Sequence, residues 1–142
     1  LCLSLDRTHV EAGAEPVFWF ELTPEEWSCG MGFWMAPPLT MAKFRARMDR
    51  DPKPMEQLAR RFNKQDQFLL EGEDYKRPKP APSPLLDPWY RKKSFALSHS
   101  APHQDLLWSH ALADTLLDSF TFLLPYYQYV LSLSGDPDPR QA

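Results

Sequence analysis

The chain has 142 residues, 43% hydrophobic and 25% charged, which suits one domain with a real core and excludes a wholly disordered chain. Its longest apolar run, around Phe120 to Leu124, falls far short of the roughly 18 to 20 residues a membrane span requires, so no transmembrane helix is expected. The net charge of −3 is unevenly spread: fourteen of the 16 Lys and Arg lie between Lys43 and Lys93 against eight acids, while the flanks carry −9.

Fifteen prolines against five glycines imply short, sharply punctuated elements, because proline lacks a backbone donor and fixes φ. The N-terminus has no basic, apolar and small-residue pattern of a secretory signal, so the expected location is cytoplasmic. Cys2 and Cys29 are expected as free, buried thiols in a reducing compartment. The chain opens at Leu1, within an apolar and polar alternation. The expectation is a single domain over 1–142 that is the C-terminal portion of a larger protein.

Leu1, Leu3 and Leu5 alternate with polar or small residues and predict a strand near the start. "VFWFEL" (Val17 to Leu22) and "WSCGMGFWM" (Trp27 to Met35) predict two more strands, joined through "TPEE" as an antiparallel hairpin. The second of these places Trp27, Cys29, Met31, Phe33 and Met35 on one face and Ser28, Gly30, Gly32 and Trp34 on the other. Two glycines two apart leave a flat patch that something approaches closely. It is either the seat of a helix backbone or bulge, or the floor of a ligand cleft walled by Trp19 and Trp34.

"PPLTMAKFRARMDR" predicts a helix with Met41, Phe44 and Met48 on one stripe and Lys43, Arg47 and Arg50 opposite. "MEQLARRFNK" predicts another, with Met55, Leu58, Ala59 and Phe62 inward and Arg60, Arg61 and Lys64 outward. "FLLEG" suggests a short strand. Five prolines between Pro78 and Pro88 then force an extended loop, until "DPWYRKK" permits one helical turn and "SFALSH" a last strand. From about Ser109, Leu112, Leu116, Phe120, Leu123, Leu124 and Tyr127 recur at three and four, predicting a long helix that Pro125 should kink or split. The tail "SGDPDPRQA" is expected to fray.

Catalytic signatures are absent. No Gly-x-Ser-x-Gly, protease-type Cys or phosphate-cradling Gly-rich loop occurs, and Ser98, His99 and Ser100 lack a third partner, so no catalytic residue is named. His99 and His103 stand four apart, but Pro102 between them opposes a shared helical face. His103 and His110 read as exposed or capping residues, and no metal or cofactor is expected.

The segment Tyr75 to Phe95 interleaves six Lys or Arg with Tyr75, Trp89, Tyr90 and Phe95. Such a mixture can contact phosphates while rings stack on bases. It can equally be a strap whose aromatics plug the core and whose cationic heads stay in water. The candidate anion-binding set is Lys43, Arg47, Arg60, Arg61, Lys76, Arg77, Arg91, Lys92 and Lys93, and the candidate cleft is Trp19, Gly30, Gly32 and Trp34.

"GFWMAPP", "GEDYKRPKPAPSPLLDPWYRKKSF" and "LLPYYQYV", in that order, resemble the C-terminal part of a bacterial conserved-hypothetical family, domain of unknown function 2461. The likeness covers roughly Val17 to Leu133 and includes the Lys93-Ser94-Phe95 motif and the helix broken at Pro125. It implies no particular activity, and it implies a further N-terminal region not seen in this sequence.

The expected architecture is therefore α+β, an antiparallel sheet of about four or five strands with helices on one face and a long kinked C-terminal helix. The first functional expectation is a non-enzymatic module whose basic side meets nucleic acid or another anionic partner. An enzyme with a cleft near Gly30, Gly32 and Trp34, and a structural subunit that pairs with a second copy or with the missing region, are the alternatives.

Overall fold

The structure, a computed structural model, describes residues 1–5, 15–102 and 110–141, without the Leu5 side chain. Its elements are β1 (Cys2–Leu5), β2 (Val17–Leu22), β3 (Glu26–Gly32), α1 (Pro38–Arg50), α2 (Lys53–Asn63), β4 (Leu69–Glu71), α3 (Asp87–Tyr90), β5 (Ala96–Pro102) and α4 (Ala111–Leu131). A 3-10 turn, Ser132–Gly135, follows α4. The five strands form one antiparallel sheet in the order β1-β2-β3-β5-β4. The fold is α+β, as the sequence predicts. His9, His103 and Ser109 lie outside the described residues.

Alternation within the strands separates the two faces. Phe18 pairs with Met31 and Phe20 with Cys29 across β2 and β3, and Met31 pairs with Leu97 and Cys29 with His99 across β3 and β5. This face meets the helices. Phe18 stacks on Tyr127 of α4 at 4.6 Å between ring centroids and packs on Phe120 at 5.2 Å. Met41, Phe44 and Met48 from α1, Met55, Ala59 and Phe62 from α2, and Leu123, Tyr126 and Val130 from α4 complete one core.

Proline serves the helix starts, standing in the first turn of α1, α2 and α3, where its missing N–H has no partner to lose. Pro125 does not split α4, which runs continuously from Ala111 to Leu131. Arg61 of α2 holds on to this helix: its Nη1 donates to the Phe122 carbonyl at 2.7 Å, and its guanidinium lies 3.9 Å from the Phe122 ring centroid. Among the described residues no helix is long and apolar enough to cross a membrane.

Three expectations change. The tail is not frayed from its start: Leu133 is buried, and Asp136 accepts from Arg47 Nε and Nη2 at 2.8 and 2.7 Å. No local pattern marks this anchor, because the arginine that holds Asp136 lies 89 residues earlier. Both cysteines are free, but only Cys29 is buried, since Cys2 sits on an edge strand. The space above Gly30 holds neither a helix nor a bulge. Gly30 pairs with Trp19, whose indole covers it so closely that an added Cβ would lie 2.5 Å from the ring.

Candidate anion-binding site

The proline loop is built from a firm base. Tyr75 N–H donates to the Arg91 carbonyl at 2.9 Å and Lys93 N–H to the Glu73 carbonyl at 2.8 Å, which ties residues 73–75 to residues 91–93. Lys92 Nζ reaches Asp74 at 2.8 Å and the Gly72 carbonyl at 2.9 Å, while Arg91 pairs with Asp87 at 3.0 Å and Asp74 at 3.8 Å. Gly72 holds φ +137°, and a Cβ there would collide with the Ser94 carbonyl, so only glycine lets the two chain segments meet. Ser94 Oγ in turn accepts the Ala36 N–H at 2.9 Å, joining the β3–α1 connection to the same base.

Above this base the loop displays its cations. Arg77 and Lys79 line a surface cavity of about 140 Å³ together with Arg45, Tyr75, Pro78 and Tyr90. Arg45, on α1, lies with its guanidinium 4.7 Å from the Tyr75 ring centroid, and its Nη1 donates to Tyr75 Oη at 3.1 Å. The ring thus orients a cation without neutralising it. Tyr90 is buried and donates its hydroxyl to Asp49 at 3.0 Å. Burial first, and the Asp49 carboxylate second, raise its phenol above the ordinary value, against the opposing pull of Arg45. Tyr90 therefore stays neutral, and Asp49, which accepts its hydroxyl, is not among the residues that line the cavity. Among the described residues, Lys76, Arg77, Lys79 and Lys93 make no ion pair.

The structure distributes the nine sequence-selected cations over separate places. Arg47 turns toward the end of α4, where it pairs with Asp136 and donates to Ser132 Oγ at 2.7 Å and the Tyr129 carbonyl at 3.1 Å. Arg61 is committed to α4, Arg60 forms a same-helix pair with Glu56 at 3.7 Å, and Lys43 Nζ lies 3.4 Å from the Ser134 carbonyl. Arg91 and Lys92 hold the loop base. Lys76 is exposed on the loop, Arg77 faces the cavity, and Lys93 lies on the far side of Tyr75. Of the nine, only Arg77 lines the cavity that Arg45 and Lys79 share with it.

Arg45 and Lys79 escaped the sequence reading. Arg45 stands one position after the core residue Phe44, so helical spacing puts it on the margin of the buried stripe, where a long side chain can reach a neighbouring loop. Lys79, set between Pro78 and Pro80, is a displayed residue in a stretch that cannot fold upon itself.

The four cleft residues do not frame an open site around Gly30, which the Trp19 indole fills. A Cβ on Gly32 would meet the Ala96 backbone, so that glycine serves close strand approach, and Trp34 is 67% exposed. Elsewhere, Gln65, Gln67, Phe68, Thr115, Asp118, Ser119 and Phe122 line a cavity of about 250 Å³. Ser119 also contacts the Cys29 thiol, but burial pushes that thiol to about 11, too high for a nucleophile at neutral pH. Among the described residues no three His, Cys, Asp or Glu converge as a metal centre requires.

A family model described as conserved hypothetical protein (DUF2461) matches residues 2–129. No curated protein and no solved structure matches the chain.

Proposed function

The chain belongs to this conserved hypothetical family, and from the geometry we propose that it is a binding module for a small anionic ligand, held between Arg45, Arg77 and Lys79 beside Tyr75. One observation carries the reading: three cations line one cavity with no carboxylate among its lining residues, and one of them is held in place by an aromatic ring. Arginine pre-oriented in this way suits bidentate recognition of phosphate or carboxylate. A cavity of about 140 Å³ admits one such group rather than a tract of nucleotides. An extended nucleic-acid track would need further free cations in line, and those of α1 and α2 are largely engaged in internal contacts.

Calorimetric titration with inorganic phosphate, at low and at physiological salt, tests the proposal. Wild-type protein binds at low salt and weakens as salt screens the exposed Arg77 and Lys79. The double variant Arg77→Glu, Lys79→Glu loses more than about tenfold in affinity, because two attractions become repulsions. Equal binding by variant and wild type, or no binding by either, overturns the proposal. Tighter, steeply salt-dependent binding of a single-stranded oligonucleotide that survives in the double variant would replace it with a nucleic-acid surface elsewhere.

A further inference from the structure

A second cavity, of about 300 Å³, has Tyr75 in its lining, as the first does. Its lining is Met35, Ala36, Pro38, Glu73, Tyr75, Lys93 and Ser94. The chemistry on this side differs. Three apolar side chains from the β3–α1 connection and the start of α1 line it, and its two charges, Glu73 and Lys93, are opposite in sign. The first cavity has three cations.

Met35, in the cavity lining, is 80% exposed, and Trp34, the residue before it in the chain, is 67% exposed, so two large apolar side chains of this connection are left in water. Large exposed apolar residues gathered beside a concavity are a common mark of ligand contact. The connection that carries them is not loose. Phe33 N–H donates to the Phe95 carbonyl at 3.0 Å and Ala36 N–H to Ser94 Oγ at 2.9 Å, so Trp34 and Met35 are held out between two fixed points.

Resting on the anion-binding reading, we infer that the ligand is amphipathic: a small molecule with a phosphate or carboxylate head among Arg45, Arg77 and Lys79 and an apolar or aromatic body lying past Tyr75 against Met35 and Pro38. Charge orients it. A near-neutral second compartment gives an anionic head no reason to settle there, while three cations draw it into the first. Size agrees, because volumes of about 140 and 300 Å³ together fall within the roughly 300 to 1,000 Å³ usual for small-molecule sites. The tyrosine between them offers its ring to the body and its hydroxyl, through Arg45, to the head.

Titrations of inorganic phosphate and phenyl phosphate against the same protein test this. Phenyl phosphate binds at least about fivefold tighter, from apolar burial beyond the head group. Met35→Ser removes that advantage and leaves inorganic phosphate unchanged, and the exposure of Met35 makes the substitution harmless to folding. If phenyl phosphate binds no better than phosphate, the inference fails while the anion site stands. If neither binds, the anion site fails with it. A phosphotyrosine peptide that binds far tighter than phenyl phosphate, with Met35→Ser leaving that gain intact, overturns the inference in favour of a protein partner.

Discussion

Arg47 on α1 and Arg77 in the proline loop carry the same guanidinium group in different surroundings. Arg47 is largely covered and meets Asp136, Ser132 and the Tyr129 carbonyl, tying the end of α4 and the chain beyond it to α1. Hydrogen bonding to Asp136 raises its pKa further above an already high value and depresses that of the aspartate. Arg77 is exposed, pairs with no acid among the described residues, and stands beside two more cations. A basic segment of sequence therefore does not amount to a basic surface. The same division appears inside the loop, where Arg91 and Lys92 hold the base and Arg77 and Lys79 are displayed.

Five variants sharpen this contrast. Arg47→Ala should cost about 3 kcal/mol of stability, because it leaves a largely covered carboxylate with only Arg50 at 3.4 Å and removes three further hydrogen bonds. A fall in denaturant midpoint at constant slope would show it, and Arg47→Lys should recover only part, since ammonium cannot pair with both carboxylate oxygens in a fork. Arg61→Ala should cost about 2 kcal/mol, from a charged donor lost at the Phe122 carbonyl and the cation lost over the Phe122 ring. Neither change should weaken phosphate binding.

Asp136→Asn tests the pair through pH. The folded carboxyl titrates below its ordinary 3.8, held there first by its hydrogen bond to Arg47. Its contribution is complete above that value and disappears as pH falls through the lower folded pKa. Wild type should therefore lose stability over this acid range that Asp136→Asn, already weaker at neutral pH, has no pair left to lose. Parallel stability profiles for the two proteins would contradict the assignment. The smallest effect belongs to Arg77→Glu with Lys79→Glu, whose melting midpoint should move by no more than about 0.5 kcal/mol equivalent, as expected for exposed side chains outside any network.

Much of the fold was legible because periodicity is local. The aromatic and β-branched run "VFWFEL" marks β2 residue for residue, and the Met41, Phe44, Met48 stripe marks the buried face of α1. What was not legible depends on partners distant in sequence. Sequence places Trp19 beside Gly30 only as a cleft wall, and that its indole lies over the glycine depends on the strand register. Nothing in α1 shows that Arg47 bends toward a tail 89 residues later while Arg45 turns to Tyr75, 30 residues on. Helical spacing assigns a residue to a face, but a long side chain at the margin of that face chooses its partner from the tertiary structure. The aromatics of the basic segment divided in the same manner: Trp89, Tyr90 and Phe95 plug the core, and Tyr75 remains at the surface to orient Arg45.

The most direct measurement follows the arginine side-chain Nε–Hε resonances by NMR during a titration with inorganic phosphate. The signals of Arg45 and Arg77 should move together along one binding curve while those of Arg47 and Arg61 stay fixed. Movement of Arg47 and Arg61, or an Arg45 and Arg77 pair indifferent to phosphate, would contradict the account.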